Sequence, residues 1–184
     1  MEVNEFFSYR NFDKYYWDWI KPLEESLKQI PDDIFFESNG SPLKREVKNL
    51  DQKLFKLLIK NFGEGVEKDF APMAPKNQFT VDFTLPTKPL TLTEIEKGKL
   101  PRLELDLMKI INSIFRYPLL YGFGCLIVPN NYIQLNLAGK RSPYQYIRNN
   151  LIPLNSPILD RKNEDGSFLI KDIIVLGYFD PRGK

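Results

Sequence analysis

Histidine is absent from the 184 residues of this chain. Its absence excludes a Ser-His-Asp triad, a Cys-His pair, an HExxH zinc site and every nuclease mechanism that uses imidazole. Cysteine occurs once, as Cys125, so no intramolecular disulfide can form and the compact secreted disulfide scaffolds are excluded. Long apolar runs are also missing. CLIV and IIVL are far short of the roughly 20 residues a membrane helix requires. The opening MEVNEFFSYR is acidic and aromatic, without the basic n-region and apolar stretch of a signal peptide. A soluble, cytoplasmic protein with no membrane partner is expected. The net charge of +2 is too small to argue for nucleic acid, so only the local placement of charge can do so.

What is present is a normal globular composition, 42% hydrophobic and 14% aromatic. No repeat, low-complexity tract or linker interrupts it, and residues 1–184 are read as one domain. Asp13 to Ile30 places Trp17, Trp19, Ile20, Leu23, Leu27 and Ile30 at helical steps, with a bend expected at Pro22. A second helix is expected from Ser41 and Pro42 to Gly63, with Leu43, Val47, Leu50, Leu54, Leu57, Leu58 and Phe62 as its apolar stripe. In QFTVDFTL, Phe79, Val81, Phe83 and Leu85 alternate with Thr80, Asp82 and Thr84, which predicts a strand with one apolar and one polar face. A loop carrying Lys88, Lys97 and Lys99 is expected next. Pro101 to Arg116 then reads as a helix apolar around most of its girth.

LLYGFGCLIV (119–128) and IIVLGYF (173–179) read as central strands covered on both faces. Between them Ser142 and Pro143 start a helix, PYQYIRNNLI, that Pro153 is expected to stop. Helices alternating with buried strands predict an α/β fold with a central mixed β-sheet flanked by helices. Cys125, inside an apolar strand, reads as an inert small hydrophobe.

The segment with chemical potential is EGVEKDFAPMAPKNQFTVDFT (64–84). Asp69 and Asp82 would approach one another if their two short strands form a hairpin. Thr84, two residues beyond Asp82, points the same way. Two carboxylates with water and phosphate oxygens are the usual setting for Mg²⁺. The plain alternative is that an Asp on the polar face of an amphipathic strand is simply solvated.

The order of segments resembles the type II restriction endonucleases of the BamHI and BglII group, within the PD-(D/E)xK nuclease superfamily. The resemblance is carried by WIKPLEESLKQIP, KDFAPMAPKNQFTVDFT, YGFGCLIVP, AGKRSPYQYI and IIVLGYF, in that order. It implies a restriction-endonuclease-like fold and a homodimer that cuts both strands of a short palindromic DNA site. Mg²⁺ is the implied cofactor, with Mn²⁺ as its substitute. The family pattern is an Asp, a hairpin, and then an acid-x-acid/Gln/Lys strand. Matched to it, Asp69 and Asp82 become the metal ligands. Thr84 stands where the family has Glu, Gln or Lys, and a hydroxyl there is a poor base. Glu64 is the first candidate to compensate, ahead of Glu67, which reads as solvated.

The resemblance further implies DNA contacts from Thr87, Lys88, Lys140 and Arg141, with Lys97, Lys99 and Arg102 neutralising phosphates. Each of these cations would otherwise read as ordinary solvated surface charge. The threonine leaves open a catalytically inactive DNA-binding module of the same fold. A protein-interaction domain without a DNA role is the third reading.

Overall fold

The computed structural model describes residues 1–36, 38, 40–41, 49–70, 80–96, 100–131 and 142–182. Its centre is a six-stranded sheet made of β1 (Val3–Ser8), β2 (Glu67–Phe70), β3 (Val81–Leu85), β4 (Leu90–Ile95), β5 (Tyr121–Pro129) and β6 (Asp172–Tyr178), in the order β1-β6-β5-β4-β3-β2. β4, β5 and β6 run parallel, while β1 pairs antiparallel with β6 and β2–β3–β4 form an antiparallel meander. The sheet is therefore mixed, as expected, and β5 and β6 are buried along their whole length.

Parallel neighbours need crossover connections, which helices supply. Helix α3 (Leu100–Arg116) joins β4 to β5. A second crossover joins β5 to β6 through α4 (Pro143–Tyr146), a π turn (Ile147–Leu151) and α5 (Ile152–Leu159). Leu103, Leu107, Ile110, Ile147 and Ile152 from these helices pack with Leu92, Leu126 and Val175 on one sheet face. The other face is covered by α1 (Ile20–Lys28) and α2 (Leu50–Phe62), whose Leu23, Leu27, Leu54 and Leu58 meet Phe83, Ile127 and Leu176. Gly124 sets how closely α3 approaches β5. A Cβ built there would lie 2.5 Å from Ile110 Cγ2 and 2.6 Å from Ile173 Cδ1, closer than carbon atoms tolerate.

Several expectations are corrected. The first helix begins at Ile20, and Pro22 falls in its first turn, where no amide donor is needed, so it does not bend a longer helix. Pro153 does not stop the helical segment that starts at Pro143. The preceding π turn widens the coil where the proline ring would strike a carbonyl, and helix continues to Leu159. Ser142 does cap that segment, accepting a hydrogen bond from the Gln145 amide at 3.2 Å. Gly63 ends α2 with φ 81°, as expected of a C-terminal glycine. Leu119 lies outside β5 and is 99% exposed.

The polar face of β3 is not solvated throughout: Thr84 is buried, because α3 covers that side. Nor do all its apolar groups share a face, since Val81 joins the α3 side. The loop expected after Leu85 contains a strand, β4. Pro42, Leu43 and Val47 of the second expected helix, and Phe79 of the expected strand, lie outside the described residues. No helix among the described residues is long and apolar enough to cross a membrane.

Candidate active site

β2, β3 and β4 bring acids to adjacent positions. The pairs Lys68↔Phe83 and Phe70↔Val81 bracket Asp69 and set it opposite Asp82. The pairs Phe83↔Thr93 and Thr84↔Leu92, continued one step, set Glu94 opposite Asp82 on the other side. Asp82 thus stands between two acids on neighbouring strands.

Their side chains are used differently. Asp69 has left-handed backbone, φ 53°, which interrupts the ladder. Its carboxylate is two-thirds exposed and accepts a hydrogen bond from Lys68 Nζ at 3.0 Å. Asp82 leans toward β4, where its Oδ2 accepts the Ile95 amide at 2.9 Å. Glu94 is buried on the side of the sheet that α3 covers. Lys109 Nζ donates to Glu94 Oε1 at 2.8 Å and to Asp106 Oδ1 at 2.8 Å, so the helix contributes both a cation and a further acid.

Burial raises the Glu94 carboxyl most, the charges of Asp82 and then Asp106 raise it further, and Lys109 pulls it down; the balance leaves it at about 9. Glu94 therefore holds a proton in the neutral range. Burial acts to lower Lys109, but Glu94 and Asp106 outweigh it and the ammonium is held above its usual range. Thr84, which period two places on the Asp82 face, is 2% exposed and its Oγ1 has no hydrogen-bond partner. Glu96 follows the end of β4 and is buried. Its amide bonds the Ile127 carbonyl at 2.9 Å, and Tyr178 Oη donates to its carbonyl at 3.1 Å.

The remaining expected residues are dispersed. Glu64 is exposed in the turn before β2. Thr87 and Lys88 sit at the far end of the β3–β4 hairpin, five residues and roughly 17 Å along the strand from Asp82. There Lys88 borders a recess lined by Trp17, Trp19, Phe62 and Phe123, while the Thr87 hydroxyl donates to the Pro89 carbonyl at 2.6 Å. Arg102 is exposed in the first turn of α3, one turn before Asp106. Lys97, Lys99, Lys140 and Arg141 lie outside the described residues. The Cys125 thiol is buried and its pKa is pushed up by that burial, in keeping with an inert side chain.

Glu94, Glu96, Asp106 and Lys109 were not singled out by sequence reasoning. The available signal was the alternation LTLTEIE (90–96), in which Leu90, Leu92, Glu94 and Glu96 fall on one period-two face. Two flanking prolines and the lysines that follow made the stretch read as loop.

Among the described residues no group of three or more His, Cys, Asp or Glu side chains is disposed to hold a metal ion. What the cluster offers is a pair of opposed carboxylates, Asp82 and Glu94, with hard oxygen donors. Such a pair can take a proton, an ammonium or a divalent cation. Compared with known proteins, the chain matches no family model and no curated sequence.

Proposed function

We propose that the chain is a Mg²⁺-dependent endonuclease of the restriction type, acting on duplex DNA as a homodimer, with its chemistry centred on Asp82 and Glu94. The observation that carries this reading is the acid pair itself, opposed across one hairpin and close enough for Asp82 to raise the Glu94 carboxyl. Buried like charges are costly unless a cation answers them.

The pattern of Asp, hairpin and acid-x-acid fits this chain in two registers. Placed on Asp69, Asp82 and Thr84, it ends on a hydroxyl. Placed one strand later, on Asp82, Glu94 and Glu96, it has an acid at every position, and β3–β4 is the hairpin between them. The second register supports the reading better because its first two acids interact, whereas Asp69 turns to Lys68.

The donor set suits a hard cation, since Mg²⁺ commonly takes one or two carboxylates and completes its shell with water and substrate phosphate. Asp82 and Glu94 would hold it, with Mn²⁺ as a substitute. When bound, such an ion lowers the pKa of a coordinated water and neutralises charge developing on a phosphodiester. Thr84 places its unpartnered hydroxyl two residues from Asp82, suited to hold a water. Arg102, at the same end of the hairpin as the acid pair, would meet a backbone phosphate. A twofold dimer presents one such site to each strand, which fits a palindromic target.

Digestion of a sequenced plasmid with Mg²⁺ tests this. Discrete fragments are expected. Asp82→Asn and Glu94→Gln should each lower cleavage by at least about a hundredfold, the scale for losing one charge-stabilising group. A chain that shifts DNA in a gel yet never cuts it, with either Mg²⁺ or Mn²⁺, would instead be the inactive binding module. Wild-type cleavage by Glu94→Gln would remove Glu94 from the site.

A further inference from the structure

We propose that Lys109 is the resident cation beside Glu94 and Asp106, and that its ammonium must withdraw from Glu94 before a divalent cation binds. The proposal rests on the reading above in taking Asp82 and Glu94 as ligands. It adds that a helix residue outside the strand pattern sets the metal affinity.

Lys109 Nζ lies 2.8 Å from Glu94 Oε1 and 2.8 Å from Asp106 Oδ1, and the three side chains are only 14%, 3% and 8% exposed. In so buried a place the Asp106 carboxylate needs a cation, and Lys109 supplies it while also donating to Glu94. A metal ion entering between Asp82 and Glu94 would compete with the ammonium for Glu94. Asp106 makes that exchange feasible. It precedes Lys109 by three residues on the same helix, so the pair stays together and the ammonium keeps one partner after leaving Glu94. Thr84, two residues from Asp82 on the same strand, is also buried with an unpartnered hydroxyl.

Removing Lys109 takes one positive charge from the cluster of Asp82, Glu94, Asp106 and Lys109, whichever protonation state Glu94 holds. Removing Lys109 should therefore strengthen metal binding. A lysine that merely supported the site would weaken it on removal.

The test is a Mn²⁺ titration of the full chain, reading free Mn²⁺ by its electron paramagnetic resonance signal. Lys109→Met should bind at least about fivefold tighter than wild type, the least expected from deleting a unit charge about 4 Å away. Lys109→Arg should resemble wild type. Asp106→Asn should bind several-fold more weakly, because Lys109 then has Glu94 alone. Lys53→Met, an equal charge change on the exposed side of α2, should leave affinity unchanged. If Lys109→Met does not fold, Lys109→Gln decides: tighter binding upholds the proposal and unchanged or weaker binding overturns it. Wild-type binding with equal or weaker affinity in a folded Lys109→Met overturns the counter-ion role alone. Absence of Mn²⁺ binding in wild type and every variant overturns the metal reading together with it.

Discussion

Glu94 combines burial with two acidic neighbours, and Lys109 is the group that offsets them. Its folded-state pKa, about 9, stands above the ordinary 4.5, so between those values the native chain holds a proton that the unfolded chain has lost. Stability contributed by that proton is present at low pH and is lost as pH rises through the window toward 9. In the presence of a chelator, the wild-type melting temperature should drop between about pH 6 and about pH 8.5, and Glu94→Gln should flatten the drop. Equal pH slopes for the two proteins would contradict the buried acid pair. Asp82 was legible in the sequence because it lies on an amphipathic strand between clear apolar positions. Glu94 was not, because its burial comes from α3 folding back over the sheet, a tertiary contact that no local pattern displays. Nothing local distinguishes a buried glutamate from a solvated one.

At the scale of elements, the apolar helix α3 and the runs in β5 and β6 were readable because each is covered along its length and so carries a continuous hydrophobic signal. β1 and β4 were missed, while β2 was expected as a short strand ending at Asp69. β1 lies at a sheet edge, is short, and carries a mixed polar face. β4 buries Thr91, Thr93 and Glu94, residues whose type argues for solvent. The Thr91 hydroxyl, for instance, is paired with that of Thr87 at 2.7 Å. Helix expectations failed where proline was read as a bend, at Pro22, or as a stop, at Pro153, without regard to its position in a turn. The contact between α3 and β5 yields a direct check. Gly124→Ala should cost about 1–3 kcal/mol, because Ile110 and Ile173 leave no room for a methyl group. Urea unfolding measures it, and an unchanged midpoint would mean that α3 packs less closely than described.

Across the whole molecule, the parallel strands place Glu94 at the carboxyl end of β4, where the chain leaves the sheet for α3. Open α/β sheets favour ligand sites at such carboxyl ends. Here the antiparallel β3 adds Asp82 from the neighbouring strand, and the helix leaving β4 returns Asp106 and Lys109 to the same spot. One turn of helix and one hairpin thus assemble four ionisable groups that are spread over residues 82 to 109 in sequence. The most direct measurement of the central claim is anomalous scattering from a crystal of the chain soaked in Mn²⁺. A peak within about 2.5 Å of oxygen atoms from both Asp82 and Glu94 is the predicted result. A peak seated elsewhere, at Asp69 for example, or no peak at all, would contradict it.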